Sequence, residues 1–156
     1  MRTILFVCTG NSCRSVMAAE MLKKILGHND KIKVISAGVG AMLGMSATDN
    51  TIKVLQREGI DATKHKSISL SKKMIEEADL VLVMERYHKY RILEIAPDAK
   101  SKVYVLREFE RDPQDVIEPD IPDPIGKPLE VYERSFDLIK EGIDNLIKWL
   151  KESGWI

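Results

Sequence analysis

Near its start the chain reads Ile4-Leu5-Phe6-Val7-Cys8-Thr9-Gly10-Asn11-Ser12-Cys13-Arg14-Ser15. The first four residues form an apolar run that is too short for a helix and is soon followed by Gly10, which favours a buried β-strand. Polar residues then predict a compact loop, and a helical spacing of apolar residues begins after Ser15. A strand, a loop and a helix in this order form a cradle for anions, because loop N–H groups turn inward and the helix N-terminus carries partial positive charge.

The predicted loop starts at a cysteine and ends at an arginine, Cys8 and Arg14, with five residues between them. A thiol beside a guanidinium and a helix N-terminus ionises readily, so we expect Cys8 to be a thiolate nucleophile rather than a structural cysteine. The planar fork of Arg14 can hold two phosphate oxygens and follow them as phosphorus becomes trigonal bipyramidal. Ser15 can donate a hydrogen bond to the thiolate and ease its departure in a later step. The residues predicted to bind phosphate are Thr9, Gly10, Asn11, Ser12, Cys13, Arg14 and Ser15.

Length and composition restrict the class of protein further. With 156 residues, of which 44% are hydrophobic and 31% charged, we expect one soluble globular domain spanning residues 1–156. Lys and Arg together equal Asp and Glu at 24 each, so neither a nucleic-acid surface nor a membrane surface is indicated. No apolar run approaches the roughly 20 residues of a membrane span, and no signal peptide precedes Ile4.

Two cysteines occur in the whole chain, and one of them lies in a predicted thiolate site. Such sparse use of cysteine favours a reducing cytoplasm over a disulfide scaffold. No spacing of His and Cys residues indicates a metal site, so we expect neither a metal nor a cofactor. No G-x-x-x-x-G-K-[ST] motif is present and no G-x-G-x-x-G follows the first strand, which argues against a nucleotide-binding loop.

The remaining apolar patterns predict an α/β fold. Strands are expected at residues 4–7, 31–37, 80–84 and 103–106. Helices are expected after Ser15 with a stop at Gly27, from Ser46 as cap to about Glu58, from Ser69 or Ser71 as cap to Glu77, from about Glu85 to Ile95, and from Leu129 to about Lys151. The first strand, helix and second strand form a βαβ unit with a right-handed crossover. We therefore predict a four-stranded parallel sheet of order 2-1-3-4, with helices on both faces and the site at the carboxyl end of the first strand.

A nucleophile that displaces a phosphate ester also needs a general acid, which protonates the leaving atom and then acts as a base on the attacking water. The long, acidic and proline-rich stretch from residue 107 to 128 is a suitable loop, since loops of this length inside a compact fold are usually functional. It contains two Asp-Pro pairs, Asp112-Pro113 and Asp123-Pro124, and proline fixes the backbone after each carboxylate. Position alone leaves both acids as candidates.

Residues 4–15 resemble the signature loop of the low-molecular-weight protein tyrosine phosphatases, a family that includes bacterial protein arginine phosphatases, and the similarity runs through nearly the whole chain. The resemblance implies hydrolysis of a phosphorylated protein through a phosphocysteine intermediate, with inorganic phosphate as product and other oxyanions as inhibitors. It also implies that Asp123 is the acid, because the family's acid lies in an Asp-Pro pair just before the last helix. The stretch that matches is Ile121-Pro122-Asp123-Pro124-Ile125-Gly126. We expect a cytoplasmic monomer whose partner is a phosphorylated protein substrate.

The same resemblance assigns supporting roles. A network of hydrogen bonds that holds the loop is expected from Asn11, Ser15, Ser36 and His65. Asn11 can also adopt a left-handed backbone conformation with little strain. Cys13 is expected to be the redox partner of Cys8, trapping an oxidised thiol as a disulfide before irreversible oxidation. The alternative is that Cys13 is only a small residue packed under the loop.

Two departures from the family pattern bear on substrate choice. Ile125-Gly126 replaces an aromatic pair that is common in eukaryotic members, and that pair lines the wall beside a phosphotyrosyl ring. Ser12 replaces a bulky aliphatic residue of those members, and the arginine-phosphatase branch has a small hydroxylated residue there. Ser12 and Ile125 are therefore predicted to influence specificity. Phosphotyrosine is the first candidate substrate and phosphoarginine is the second.

Two other functions are compatible with a phosphate loop that begins with cysteine. An arsenate reductase requires a relay of further thiols, and no cysteine follows Cys13. A phosphocarrier module carries phosphate on a cysteine but lacks the loop arginine, so Arg14 argues against it. His28 and His88 are expected on the surface, and the roles of Asp120 and of the loop at residues 38–44 stay open.

Overall fold

A computed structural model describes all 156 residues and contains one parallel sheet of four strands. The strands are β1 (Arg2–Cys8), β2 (Ile32–Gly38), β3 (Leu80–Val83) and β4 (Val103–Val105). Their order is β2-β1-β3-β4, and each neighbouring pair is parallel. The predicted α/β class and strand order are confirmed.

Five α-helices connect and follow the strands, and their positions agree with the predicted pattern. They are α1 (Arg14–Leu26), α2 (Asp49–Arg57), α3 (Lys72–Glu77), α4 (Arg86–Ile95) and α5 (Leu129–Glu152). Gly27 ends α1 with φ 61°, a left-handed value that glycine adopts without strain. The Ser71 side chain caps α3 by accepting a hydrogen bond from the Met74 N–H, 3.2 Å away. None of these helices is both long enough and apolar enough to cross a membrane.

The prediction that Ser46 caps the second helix is wrong, because the helix begins three residues later. The preceding segment is held in an extended path by contacts with other parts of the chain. Met45 accepts a hydrogen bond from the Ser67 N–H at 2.8 Å, and the Thr48 N–H donates to the Ser12 carbonyl at 3.1 Å. Thr48 therefore precedes the first helical residue.

Alternate residues of β1 face two separate cores, and this alternation places helices on both faces of the sheet. Ile4 and Phe6 belong to the larger core, which α1, α2 and α5 complete. Leu5 and Val7 belong to the smaller core, which α3 and α4 cover. All four side chains are fully buried, so β1 is a central strand covered on both faces.

The parallel strands bring their carboxyl ends to one edge of the sheet, where ligands bind in open α/β folds. The loop at residues 9–13 leaves β1 at this edge, and residues 39–48 leave β2. Met84 and Glu85 follow β3, and the long acidic loop follows β4. The topology therefore places the loop after β1, the residues after β2 and β3 and the long acidic loop side by side at the carboxyl edge of the sheet.

Candidate active site

Cys8 is the last residue of β1, and its thiol meets the first turn of α1. The Sγ atom lies 2.9 Å from Ser15 Oγ, and Cys8 is 2% exposed. Ser15 Oγ also accepts a hydrogen bond from Asn11 Nδ2 at 2.8 Å, which leaves its own proton free to point at the sulfur. The structure thus brings together a cysteine and a hydroxyl donor that can stabilise its thiolate.

Asn11 organises the loop from inside, and it is fully buried. Its φ is 51°, the left-handed conformation expected from the sequence. Besides Ser15, its Nδ2 donates to Ser36 Oγ at 2.9 Å, and its Oδ1 accepts from the Ile68 N–H at 2.9 Å. His65 Nε2 lies 2.7 Å from the Asn11 carbonyl oxygen. The structure therefore brings the four predicted support residues into one network, in which Asn11 contacts each of the others.

Gly38, at the end of β2, packs directly against this loop. A Cβ atom there would lie 2.4 Å from the Thr9 carbonyl oxygen and 2.9 Å from the Asn11 nitrogen. The backbone continues this contact, since the N–H groups of Val39 and Gly40 donate to the carbonyls of Cys8 and Thr9 at 2.9 Å. The stretch after β2 thus binds the back of the loop, and only glycine fits at its first position.

Arg14 is 1% exposed, and its guanidinium is held by segments from distant parts of the chain. Nη1 donates to Glu85 Oε2 at 2.6 Å and to the Ile121 carbonyl at 2.7 Å. Nη2 lies 3.6 Å from Asp123 Oδ2. The sequence analysis missed Glu85, and its only local signal is an acidic residue just after a buried strand.

Asp123 lies on the solvent side of Arg14, with 41% of its side chain exposed. Its Oδ1 accepts a hydrogen bond from the Ile125 N–H at 3.1 Å. Two hydrogen bonds anchor the loop just before Asp123. The fully buried Ile121 donates its N–H to the Met84 carbonyl at 3.0 Å. Ser135 Oγ donates to the Pro122 carbonyl, also at 3.0 Å. Asp123 therefore has a fixed backbone and a carboxylate that solvent can reach.

The other Asp-Pro pair has a different environment. The Asp112 carboxylate accepts a hydrogen bond from the Gln114 N–H at 3.0 Å and caps the short 3₁₀ turn Pro113–Asp115. Turns of this kind are a common structural use of aspartate. Asp123, and not Asp112, is the acid that the structure brings to Arg14.

Asp120, whose role the sequence left open, is paired with Arg86 at the start of α4. It accepts hydrogen bonds from the Arg86 backbone N–H at 2.8 Å and from Nη2 at 3.1 Å. Burial acts to raise the pKa of Asp120, but the hydrogen bonds from Arg86 outweigh it and hold that pKa below its ordinary value. Asp120 therefore fixes the acidic loop to α4.

Cys13 and Ser12 occupy the side of the loop that faces α2 and α5. Cys13 is buried, its Sγ lies 3.4 Å from Thr48 Oγ1, and its thiol donates to the Tyr132 hydroxyl oxygen at 3.6 Å. Burial raises the pKa of Tyr132 to about 12 and outweighs the hydrogen bond with Thr48, which acts to lower it. Both cysteines are free thiols here.

Ser12 is half-buried, and its carbonyl accepts hydrogen bonds from the Thr48 N–H and from Thr51 Oγ1, each at 3.1 Å.

The prediction that His88 lies on the surface is wrong, because its side chain is fully buried. Nε2 lies 2.9 Å from Thr9 Oγ1, and Nδ1 accepts a hydrogen bond from the Glu85 N–H at 3.0 Å. Burial, with the positive charge of Arg14, lowers the pKa of His88 to about 4. The helical pattern of α4 is too short to reveal this burial, whereas His28 is exposed as expected.

Comparison with known proteins gives one consistent picture. The sequence model of a family described as "Low molecular weight phosphotyrosine protein phosphatase" matches residues 3–154. A protein-arginine-phosphatase of Geobacillus stearothermophilus is 42% identical, with 95% of each chain covered. A probable low molecular weight protein-tyrosine-phosphatase, EpsP, of Ralstonia nicotianae is 35% identical over 98% of this chain and 99% of its own. The solved structure of the YwlE arginine phosphatase from Geobacillus stearothermophilus superimposes with a TM-score of 0.87 at 40% identity, covering 98% of this chain and 95% of that one.

Proposed function

The chain belongs to the low molecular weight phosphotyrosine protein phosphatase family, and on that premise we propose that Cys8 is its nucleophile, Arg14 its phosphate-binding group and Asp123 its general acid and base. The protein is accordingly a phosphatase that acts on phosphorylated proteins. The observation that carries the residue assignment is the 3.6 Å approach of Asp123 Oδ2 to Arg14 Nη2. It links a solvent-facing carboxylate to an arginine on the loop that begins at the buried thiol.

In the first step, the Cys8 sulfur attacks phosphorus while the bond from phosphorus to the leaving atom breaks. Arg14 and the loop N–H groups bind the three non-bridging oxygens, whose charge is distributed differently in the transition state. Asp123 gives its proton to the leaving atom, so that a neutral phenol (from phosphotyrosine) or guanidino group (from phosphoarginine) departs.

In the second step, water attacks the phosphocysteine and inorganic phosphate forms. Asp123, now a carboxylate, accepts the proton of that water. The thiolate of Cys8 leaves, and the Ser15 hydroxyl at 2.9 Å can donate a hydrogen bond to the developing negative charge on sulfur. Asn11 supports this donor, because it occupies the acceptor side of Ser15 Oγ at 2.8 Å.

Phosphotyrosine is the first candidate substrate. A phosphotyrosine presents its phosphorus at the end of a long, flat side chain, which suits a thiol that is 2% exposed at the base of a loop. The acid for its phenolic oxygen is then the partly exposed Asp123 above the loop. The match to the tyrosine-phosphatase family along residues 3–154 supports this assignment.

Phosphoarginine is the second candidate, and two observations favour it. The wall beside Asp123 carries the exposed aliphatic side chain of Ile125 in place of an aromatic group that would stack on a phenyl ring. Ser12, in the loop itself, is small and half-buried, which leaves room for a broad planar guanidinium. An arginine phosphatase at 42% identity is among the relatives, and an arginine phosphatase from the same organism superimposes on the whole fold.

The test is parallel steady-state kinetics on phosphotyrosyl and phosphoarginyl peptides of the same sequence, using wild type, Cys8→Ser and Arg14→Lys. Cys8→Ser should abolish turnover of both peptides, and Arg14→Lys should reduce it strongly because lysine keeps the charge but loses the bidentate fork. Asp112→Asn is the matched control and should behave as wild type. Near-wild-type turnover by Cys8→Ser would refute the assignment, and the ratio of kcat/KM for the two peptides decides the substrate class.

A further inference from the structure

His88 is a fully buried histidine in the first turn of α4, and the mechanism above gives it no role. Burying an imidazole is unfavourable unless both ring nitrogens find hydrogen-bond partners. Both do here, and each partner belongs to the site. Nδ1 meets the Glu85 N–H at 3.0 Å, and Nε2 meets Thr9 Oγ1 at 2.9 Å.

These two contacts determine which ring nitrogen carries the proton. A backbone N–H can only donate, so Nδ1 must be the acceptor and the proton of the neutral ring lies on Nε2. Nε2–H therefore donates to the Thr9 hydroxyl oxygen. The pKa of His88, lowered to about 4 by burial and by the charge of Arg14, keeps the ring in this neutral form near neutral pH.

The two partners of His88 lead to opposite ends of the phosphate loop. Thr9 directly follows Cys8, so the first contact holds the loop beside the thiol. The second contact fixes the backbone of Glu85, whose carboxylate binds Arg14 Nη1 at 2.6 Å. A single side chain thus connects the start of the loop with the carboxylate that orients its last phosphate-binding group.

We propose that His88 is a positioning residue for phosphoryl transfer, which holds Thr9 and the Glu85–Arg14 pair in the arrangement that the transition state requires. This inference rests on the proposed roles of Cys8 and Arg14. Because His88 acts through residues that bind the transferring group, its loss should lower kcat and kcat/KM together, with little effect on KM.

Two isosteric substitutions separate the contacts. Asn at position 88 places its amide oxygen near the position of Nδ1, so His88→Asn keeps an acceptor for Glu85 and loses the donor to Thr9. Gln places its amide nitrogen near Nε2, so His88→Gln keeps the donor to Thr9. Thr9→Val removes the acceptor at nearly constant shape. Ile92→Val is the matched control, because Ile92 is buried one turn further along the same helix and has an apolar side chain.

The experiment measures kcat and KM for an aryl phosphate, the inhibition constant of inorganic phosphate, and the thermal unfolding midpoint of each variant. His88→Asn and Thr9→Val should each lower kcat about 10-fold, the effect of losing one hydrogen bond. The double variant should lose no more than either single one, because both remove the same bond. His88→Gln should recover part of the loss, and Ile92→Val should lower the unfolding midpoint without changing kcat.

Different failures of the experiment have different meanings. If the His88 variants keep the kcat of Ile92→Val, or if the losses in the double variant are additive, His88 has only a structural role and the inference is overturned. If the His88 variants do not fold, Thr9→Val decides, and a wild-type kcat in that variant also overturns the inference. A wild type that fails to hydrolyse the aryl phosphate, or an active Cys8→Ser variant, would instead refute the proposed function.

Discussion

Arg14 Nη2 lies 3.6 Å from Asp123 Oδ2, which connects the phosphate loop to the acidic loop across the mouth of the site. The two side chains differ sharply in exposure, 1% for Arg14 and 41% for Asp123. In the proposed mechanism, a phosphoryl group entering from solvent approaches Arg14 on the side where Asp123 lies and competes with that carboxylate. Glu85 contacts Nη1 at 2.6 Å, so the guanidinium keeps one carboxylate partner when its Nη2 contact with Asp123 is broken.

Asp123→Asn should lower kcat by about 10²–10⁴-fold, because the amide cannot transfer a proton to the leaving atom. The loss should shrink for aryl phosphates with very acidic phenols, which depart without protonation. A leaving-group series of aryl phosphates measures this dependence. Asp112→Asn is the control and should keep the wild-type kcat. If Asp112→Asn lowers kcat strongly and Asp123→Asn does not, Asp112 is the acid.

Ser12→Ile should reduce turnover of a phosphoarginyl peptide more than turnover of a phosphotyrosyl peptide. A bulky aliphatic side chain would narrow the cradle, whereas the Ser12 backbone is already fixed by hydrogen bonds from Thr48 and Thr51. Competition kinetics with both peptides in one reaction give the ratio of kcat/KM values directly. Ser12→Thr keeps the hydroxyl group and should retain the wild-type ratio, and equal losses in Ser12→Ile would remove Ser12 from the specificity argument.

Cys13→Ser should retain most of the turnover under reducing conditions but should recover poorly after peroxide followed by a reducing thiol. The reason is that a neighbouring thiol can capture a sulfenic acid on Cys8 before further, irreversible oxidation. Recovered activity is compared with wild type after identical exposure. Recovery equal to wild type would leave Cys13 with only its packing contacts to Thr48 and Tyr132.

Acid should destabilise the fold through His88. The pKa of an unperturbed histidine is 6.5 and that of His88 in the fold is about 4, so the unfolded chain takes up a proton between these values and the folded chain does not. Stability is therefore unaffected by this group above pH 6.5 and falls as the pH drops to about 4, by about 3 kcal/mol in total. Burial and the charge of Arg14 lower the pKa of His88, and the nearby carboxylates of Asp123 and Asp120 raise it by less.

Denaturant unfolding of wild type and His88→Gln at several pH values measures this contribution. At pH 7 wild type should be the more stable, and the difference should shrink as the pH falls toward 4 because glutamine does not titrate. Unfolding free energies that stay parallel across the pH range would contradict this prediction.

Much of the fold follows from short stretches of sequence. The apolar run before Cys8 predicts a buried central strand, and the polar loop with a helix after it predicts the cradle, because both depend on neighbouring residues. The left-handed backbone of Asn11 and the glycine after α1 are local in the same sense. Strand order could also be anticipated, since parallel strands joined by helices have few allowed arrangements.

Position in the sequence could not decide between Asp112 and Asp123, since both precede a proline in one long loop. Resemblance to a family selected Asp123, and the structure places that acid beside Arg14. The physical reason is the anchoring of the loop just before it, where Ile121 is buried and bonded to Met84. That anchoring depends on the residue that follows β3, which no local pattern in the loop can reveal.

The sequence by itself therefore determined the loop after β1 and the layers of the sheet, and it indicated the type of chemistry, since these arise from local spacing and composition. The family resemblance named Ser36 and His65 as distant supports of that loop, and only the tertiary structure added Glu85 and His88. Glu85 reaches Arg14 across 71 residues of sequence, and His88 reaches Thr9 across 79. These contacts exist because β3 lies next to β1 and both strands end at the same edge of the sheet, so the start of α4 is brought against the loop. A histidine in a short helical pattern is typical of a surface residue, and only that packing encloses it.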